Sequence, residues 1–370
     1  MESKLIRLYE DQGQSPWLDN LTRGFLTSGQ LTRLRDDGIR GLTSNPTIFQ
    51  KAIAGSADYD EQFKEIAADD GPIVNDYWAL VTRDIEAACD VFAPLYRSTE
   101  GGDGFVSVEV APELANDSAG TEQAARQLHE QLAKPNLMVK IPGTQSGLAP
   151  IRTMISEGRN INVTLIFSLE RHREVMDAYL EGVEAYVDAG GTGVRTIASV
   201  ASFFISRVDT EVDRRLEAIG SPDAVALRGK AAVAQGKLAY RQFRETFAGP
   251  RWERLAAVGA RVQRPLWAST STKNPAYPDT LYVDELIGPD TVNTMPDATV
   301  DDFEDHGTLA RRVDQDVEQA DEVWQRLEQV GVDMADVAAQ LEREGVASFQ
   351  KSFDELLGTL DAKSVELRAG

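Results

Sequence analysis

The sequence predicts an α/β fold, a single (β/α)8 TIM barrel with additional C-terminal helices. Short apolar runs alternate with segments of helical spacing about eight times along the 370 residues. Such alternation requires parallel strands joined by helical crossovers, and eight units is the number at which a parallel sheet closes. An open doubly wound sheet is the alternative, but no glycine-rich fingerprint follows the first apolar run. No shift of composition marks a linker, so we expect one domain over residues 1–370, with a helical extension over about 308–370 packed on the barrel.

Five strands are predicted in the first half of the chain, where short apolar and β-branched runs are bounded by turn-forming residues. They cover 15–19, 40–45, 105–110, 137–141 and 161–167. Helical spacing separates them over 21–35, 47–52, 58–66, 73–92 and about 117–132, with another helix after Thr144. The helix over 73–92 carries one apolar stripe, formed by Tyr77, Val81, Ile85, Ala88 and Phe92. Cys89 lies beside this stripe, and we expect it to be a structural thiol.

The second half supplies the remaining strands and the longest helices. Ser168 is placed to cap a helix that runs to about Asp188, and the glycines of 190–193 are expected to stop it, because they lack the ending of a phosphate loop. Strands are predicted at 195–199 and 264–269, with either 281–286 or 291–294 as the eighth. Helices are predicted over about 203–219, 222–247 and 308–360, the last with turns at Gly331 and Gly345.

The composition of the chain argues against several classes of partner and cellular location. A net charge of -22 and an isoelectric point near 4.6 argue against binding to a phosphate backbone, so we expect no nucleic-acid partner. One cysteine permits no intramolecular disulfide, which favours a reducing compartment. The chain begins without an apolar segment of signal-peptide length, and no run of 18 apolar residues occurs. We therefore expect a soluble cytoplasmic protein with no membrane partner, as a monomer or a homodimer.

Lys140 is the most unusual residue in a predicted strand. It is the fourth residue of the run 137–141, has apolar neighbours on both sides and is soon followed by Pro142. Burial disfavours the ammonium form of a lysine, and the free amine is suited to attack a carbonyl and form a Schiff base. An ordinary surface lysine at a strand end is the alternative.

Polar residues interrupt successive strands near their C-terminal ends, where barrel enzymes carry their chemistry. They are Asp19, Asn45, Glu109, Lys140, Asn162 with Thr164, Ser202 and Ser269. Each one alone has a structural explanation as a helix cap, a turn former or a solvated acid, but together they indicate a site. The three histidines, His129, His172 and His306, lie far apart and match neither a metal triad nor a Ser/His/Asp arrangement, so we expect no metal and no cofactor.

Five motifs together resemble transaldolase, in its longer bacterial form. They are Gly41-Leu-Thr-Ser-Asn45-Pro-Thr-Ile-Phe, Ser107-Val-Glu109-Val, Met138-Val-Lys140-Ile-Pro, Ile161-Asn162-Val-Thr164-Leu-Ile-Phe-Ser168 and the stretch from Ser202 to Arg207. The resemblance covers nearly the whole chain. It implies a barrel whose fourth strand carries a Schiff-base lysine, and a reaction that moves a dihydroxyacetone unit from sedoheptulose 7-phosphate to glyceraldehyde 3-phosphate. The products implied are erythrose 4-phosphate and fructose 6-phosphate, in the pentose phosphate pathway.

The resemblance also implies the catalytic roles. Lys140 matches the amine that attacks the ketose carbonyl, and Asp19 the acid that removes the C4 hydroxyl proton during cleavage. Glu109 matches the group that shuttles protons through a water molecule, with Thr164 holding that water. Related fructose 6-phosphate aldolases carry a different residue where Glu109 stands, which favours a transferase over an aldolase that releases dihydroxyacetone. A catalytically silent barrel that binds sugar phosphates is the other alternative.

The substrate-binding residues implied are Asn45 and Asn162 for the dihydroxyacetone hydroxyls, Ser202, and Arg207 for the distal phosphate. The sequence departs from the family's commoner pattern at two places in this stretch, with Phe203 where proline is frequent and Ser206 where glycine is. The basic residue after the seventh strand also differs. It is Lys273, either a second phosphate ligand or a solvent-facing lysine.

Overall fold

Eight short parallel strands close into a barrel in the computed structural model, which describes residues 3–66 and 71–369. The sheet order follows the chain, and β8 pairs back onto β1. Almost every strand residue is buried, because helices cover the outer face and side chains fill the interior. The strands are β1 (Gln14–Leu18), β2 (Gly41–Thr43), β3 (Phe105–Glu109), β4 (Leu137–Pro142), β5 (Ile161–Ile166), β6 (Ser199–Phe204), β7 (Arg264–Ala268) and β8 (Thr291–Met295).

Helices surround the barrel and connect its strands. Before β3 they are α1 (Lys4–Gln12), α2 (Arg23–Thr27), α3 (Gln30–Asp36), α4 (Pro46–Ala54), α5 (Asp60–Ile66) and α6 (Ile73–Ser98). Between β3 and β7 they are α7 (Ser118–Leu132), α8 (Leu148–Ser156), α9 (Leu169–Asp188), α10 (Ser206–Ile219), α11 (Pro222–Val225), α12 (Ala231–Thr246) and α13 (Gly249–Ala257). After β7 they are α14 (Leu281–Asp284), α15 (Asp297–His306), α16 (Val317–Gln329) and α17 (Met334–Ala369).

The N-terminal end of the barrel is closed by a buried charge cluster around Asp103. Its carboxylate accepts hydrogen bonds from the hydroxyl of Ser15 and from the indole of Trp17, the latter at 3.0 Å. Arg40 and Arg264 form ion pairs with it at 2.8 and 3.2 Å. These positive charges outweigh the effect of burial and hold the pKa of Asp103 below its ordinary value. Every charge of this cluster is therefore paired within it.

The long helix α17 lies across the C-terminal side of the barrel. It packs on α4, α6, α10 and β5. Gly345 lies inside this helix, so the turn predicted there is wrong. A Cβ atom at Gly345 would come within 2.9 Å of Leu165 Cδ2, which explains why the helix has a glycine at its contact with the barrel.

Several predicted helix boundaries are corrected by backbone geometry. The segment 21–35 is two helices, because Gly29 adopts a left-handed φ of 71° between them. The segment 222–247 is likewise divided, since Gly229 has a φ of 70° between α11 and α12. Helix α6 runs past Phe92 to Ser98 and contains Pro94. In the C-terminal part, 308–316 is not helical, whereas the turn at Gly331 is confirmed by its φ of 94°.

Two strands also differ from the prediction. The sixth is Ser199–Phe204, later than the predicted 195–199, because the buried side chains of Phe203 and Phe204 extend the strand and the segment Val194–Thr196 is a short 3-10 helix. Helix α10 consequently begins at Ser206. The eighth strand is Thr291–Met295, whereas residues Leu281–Asp284 form a helical turn.

Other predictions for local structure are confirmed. Ser168 caps α9 as predicted, through the amide of Arg171. The cap of α7 is the side chain of Asp117, which accepts from the amide of Gly120. Helix α9 ends at Asp188, just before Gly190 with its φ of 84°. Cys89 is fully buried, and burial raises the pKa of its thiol, as expected of a structural cysteine.

Candidate active site

Lys140 lies inside the C-terminal mouth of the barrel with its amine sheltered from solvent. Its Nζ atom donates a hydrogen bond to the carbonyl oxygen of Ser44 at 2.9 Å and lies 3.0 Å from Oε2 of Glu109. The side chains of Lys140 and Glu109 are only 6% and 3% exposed. Strand register explains their proximity, because Glu109 on β3 is the direct partner of Lys140 on β4. The surface-lysine alternative is therefore excluded.

Two carboxyl groups with raised pKa values face this amine. Burial raises the pKa of Glu109, the positive charge of Lys140 opposes that rise, and the charge of Asp19 adds to it. Burial also raises the pKa of Asp19, against the hydrogen bond that Thr43 Oγ1 donates at 2.7 Å and the positive charges of Lys140 and Arg207. Both groups therefore hold a proton to higher pH than ordinary carboxylic acids, which suits groups that exchange protons with a substrate.

Thr164 brings a buried hydroxyl without a protein partner to the same pocket. Register places it beside Pro142 at the end of β4, and the residue is fully buried. Its Oγ1 atom makes no hydrogen bond to any residue that the structure describes. A buried hydroxyl left without a partner costs about 1–3 kcal/mol. The position therefore suits a group that binds a water molecule or a substrate atom.

Asn45 and Ser202 also line the pocket. The Oδ1 atom of Asn45 caps α4 by accepting a hydrogen bond from the amide of Ile48 at 3.0 Å, so the amide nitrogen is the end of the side chain available to a ligand. Ser202 Oγ donates to Asn162 Oδ1 at 2.7 Å. Asn45, for which a turn former was the structural explanation, is thus a helix cap that also faces the pocket.

Asn162 is held below the pocket wall rather than on it. Its Nδ2 atom donates to Ser107 Oγ at 3.0 Å, and its Oδ1 atom receives the hydroxyl of Ser202. The side chain is fully buried and is the register partner of Lys140. In this arrangement it supports Ser202, and each end of its amide has one further hydrogen-bonding position.

Two cations stand at the rim of the pocket. Arg207 lies in the first turn of α10, and its guanidinium carbon is 5.2 Å from the ring centre of Phe204 and 6.0 Å from that of Phe349. No carboxylate among residues 3–66 and 71–365 forms an ion pair with it, and burial lowers its pKa. Lys273 is an exposed residue whose amine end is partly buried. That burial is the largest cause of its lowered pKa, and repulsion from Arg207 is the second. Two unpaired cations beside a helix N-terminus favour a bound anion.

Some residues of the site carried no functional signal in the sequence. Phe349 reaches the pocket from α17, far from Arg207 in the chain, and its residue type suggests only a core position. Thr43 and Ser44 lie inside the motif around Asn45, where a polar pair after a strand is a weak indication of function.

A larger hollow of about 570 Å³ opens at the opposite end of the barrel, lined by residues such as Tyr9, Arg261 and Arg264. Arg264 in its lining belongs to the Asp103 cluster, whose charges are already paired. No lysine is among the described residues that line this hollow. Residues at this end of a TIM barrel usually contribute to stability, whereas the catalytic residues lie at the C-terminal end.

Residues 3–66 and 71–369, the described part of the chain, contain neither a metal-binding cluster nor a membrane-spanning helix. No group of three or more His, Cys, Asp or Glu side chains is arranged to hold a metal ion. None of the helices in that part is both long enough and apolar enough to cross a bilayer.

Known proteins resemble this chain over nearly its whole length. The family model described as Transaldolase/Fructose-6-phosphate aldolase matches residues 16–360. A transaldolase of Parafrankia sp. (strain EAN1pec) is 49% identical over 350 residues, which are 94% of this chain and 95% of that protein. A transaldolase of Saccharopolyspora erythraea is 50% identical over 357 residues, 96% of each chain. A transaldolase of Mycolicibacterium smegmatis is 49% identical over 356 residues, 95% of this chain and 96% of that protein.

Proposed function

The chain belongs to the transaldolase/fructose-6-phosphate aldolase family, and we propose that it acts as a transaldolase with Lys140 as its Schiff-base amine. The donor is sedoheptulose 7-phosphate and the acceptor is glyceraldehyde 3-phosphate, and the products are erythrose 4-phosphate and fructose 6-phosphate. The observation that carries this proposal is the Lys140 amine, buried in the mouth of the barrel 3.0 Å from the Glu109 carboxylate.

Schiff-base formation is the first chemical stage. The neutral amine of Lys140 attacks the ketose carbonyl, the new C–N bond forms as the C=O π bond breaks, and the nitrogen gives up one proton while the carbonyl oxygen takes up one, which gives a neutral carbinolamine. A second proton on that oxygen lets it leave as water, and the iminium remains. Glu109 gives and recovers these protons through a water molecule, and the unpartnered hydroxyl of Thr164 supports a water position next to it.

Cleavage and transfer use Asp19. Its carboxylate removes the proton of the C4 hydroxyl, the C3–C4 bond breaks, and its electron pair moves into the iminium to form an enamine. The shortened aldose leaves with a new carbonyl at the former C4. When the acceptor aldehyde arrives, the enamine carbon attacks it and Asp19 returns the proton. The hydrogen bond from Thr43 keeps the carboxylate directed into the pocket.

Binding is assigned to the remaining polar residues. Asn45, Asn162 and Ser202 hold the dihydroxyacetone hydroxyls and keep the enamine oriented between the two half-reactions. Arg207 at the start of α10 and Lys273 in the loop after β7 bind the distal phosphate, which their lack of ion-pair partners among the described residues supports. Arginine offers two parallel donors to phosphate, and lysine adds a second charge.

A pair of progress curves tests the proposal. With fructose 6-phosphate as donor, we expect glyceraldehyde 3-phosphate to appear only when erythrose 4-phosphate is supplied as acceptor. Steady release of free dihydroxyacetone without acceptor would identify an aldolase instead. No turnover with any acceptor, together with measurable binding of sugar phosphates, would identify a silent binding barrel.

Three further parts of the proposal concern the whole chain. Residues 1–370 form one domain, which the packing of α17 on helices from both halves of the barrel supports. The protein works in the cytoplasm, and its single buried cysteine is in keeping with a reducing compartment. It is a monomer or a homodimer.

A further inference from the structure

Asp213 connects α10 to the loop after β7 and to the segment between α11 and α12, beside the pocket that Arg207 and Lys273 line. It lies on α10, the helix that carries Arg207, and is 7% exposed. Its Oδ2 atom accepts a hydrogen bond from the hydroxyl of Tyr277 at 2.6 Å, and its Oδ1 atom accepts one from the amide of Gly229 at 2.9 Å. We call Asp213, Tyr277 and Gly229 the Asp213 clasp.

Tyr277 belongs to the loop that carries Lys273, between β7 and α14. At its start this loop is tied to α10, because the amide of Ser206 donates to the carbonyl of Ser269 at 3.0 Å. At its other end Tyr277 ties it to Asp213 on the same helix. Lys273 lies midway, four residues from each tie. One helix therefore carries Arg207 and anchors both sides of Lys273.

The middle of the loop has little else to hold it. Within the described residues, every hydrogen bond made by 271–276 ends inside 271–279, including the one from Lys273 Nζ to Ser271 Oγ at 2.5 Å. Arg207 repels the amine of Lys273 and Asp19 attracts it, and neither forms a hydrogen bond or ion pair with it among the described residues. The position of Lys273 relative to Arg207 thus depends on the two ends of the loop.

The absence of a side chain at Gly229 leaves space for the ring of Tyr277. The φ of Gly229 is 70°, and a Cβ atom there would lie 2.7 Å from Cζ of Tyr277 and 3.0 Å from its hydroxyl oxygen. A side chain at this position would therefore displace the ring. Burial and the bond to Asp213 raise the pKa of Tyr277 to about 12, so its hydroxyl is a neutral donor at physiological pH.

We propose that the Asp213 clasp is a positioning device that holds Lys273 against Arg207 and thereby sets the affinity for the phosphate group of the substrate. The clasp acts on phosphate recognition and leaves the carbon–carbon chemistry at Lys140 unchanged. This inference rests on the proposed function, in which Arg207 and Lys273 bind phosphate.

Tyr277→Phe tests the clasp by removing one hydroxyl. We expect KM for glyceraldehyde 3-phosphate to rise roughly tenfold, the effect of weakening one charge-assisted hydrogen bond, with kcat within about twofold of wild type. With unphosphorylated glyceraldehyde as acceptor, kcat/KM should be unchanged. Gly229→Ala should give the same pattern by displacing the ring, and it serves if Tyr277→Phe does not fold.

Tyr282→Phe is the matched control. Tyr282 also donates to an aspartate of α10, Asp209, at 2.7 Å, but it lies on α14 beyond the loop. We expect this variant to lose stability without any change in KM for the phosphorylated acceptor. A rise in KM equal to that of Tyr277→Phe would overturn the proposal, as would a Tyr277→Phe variant that loses kcat or affects both acceptors equally.

The variant Lys273→Ala distinguishes a failure of the clasp proposal from a failure of the proposed function. If KM for the phosphorylated acceptor rises in Lys273→Ala but not in Tyr277→Phe, the clasp proposal fails and the phosphate site stands. If adding Tyr277→Phe to Lys273→Ala causes no further rise, the clasp acts through Lys273 as proposed. If the wild-type protein has no transaldolase activity, the proposed function fails, and the clasp is tested by calorimetry with inorganic phosphate, whose binding Tyr277→Phe should weaken roughly tenfold.

Discussion

Thr164→Val should separate the stability of the protein from its activity. The hydroxyl of Thr164 is fully buried and bonds to no described protein group, so its removal leaves no protein donor or acceptor unpaired. Valine has nearly the same shape, and the hydrogen bond lost is one to a bound water and not to a protein group, so we expect the free energy of unfolding to stay within about 0.5 kcal/mol of wild type. Activity should fall by about 100-fold, because a positioned water in proton transfer contributes a factor of that order.

The measurements are urea unfolding and the rate of dihydroxyacetone transfer. Thr121→Val is the matched control, since Thr121 is 2% exposed on α7 and its hydroxyl donates to the carbonyl of Leu114 at 2.7 Å. This control should lose about 1 kcal/mol of stability and keep its activity. Thr164→Ser retains the hydroxyl and should keep most of the rate. Wild-type turnover in Thr164→Val, or a loss of more than about 2 kcal/mol in its stability, would refute the reasoning.

Three further predictions concern charged groups. Asp19→Ala should still form a Schiff base, detected by borohydride reduction and mass spectrometry, while its rate of carbon–carbon cleavage falls at least about 100-fold; normal turnover would remove Asp19 from the mechanism. Arg207→Ala should raise KM for phosphorylated acceptors by tenfold or more while unphosphorylated glyceraldehyde is used as before, and an equal loss for both would contradict the phosphate assignment. The pKa of Asp209 is raised from 3.8 to about 6, mainly by burial, so the folded state binds its proton more tightly and this group adds stability as the pH falls from 7 to 5. The gain is about 1 kcal/mol and should be absent in Asp209→Asn when urea midpoints are compared across that range; identical pH dependence in both proteins would disprove it.

The site was more predictable from sequence than its supporting contacts. Strand-end polar residues come together because closure of a parallel barrel brings all eight C-terminal ends to one mouth, so Lys140 and Glu109 meet through strand register alone. The bonds that hold Asn162 below the pocket depend on side-chain directions across three strands. Phe349 enters from a helix at the other end of the chain, and no local pattern marks it.

The errors in the predicted helices and strands arise where tertiary packing or backbone angles decide the structure and the local sequence pattern does not. The low helix propensity of glycine predicts a turn at Gly345, but packing against Leu165 outweighs that local preference. The sixth strand was placed too early because 197–205 is a nearly continuous apolar run, whose periodicity does not fix where a buried strand starts. The breaks at Gly29 and Gly229 depend on left-handed backbone angles, which glycine permits but does not require.

Trapping of the covalent intermediate tests the central claim most directly. The protein is incubated with fructose 6-phosphate, reduced with borohydride and digested, and the modified peptide is identified by mass spectrometry. We expect a single stable adduct on Lys140, lost in Lys140→Met. An unmodified Lys140, or an adduct formed on another lysine while turnover is normal, would contradict the assignment of the buried amine as the catalytic group.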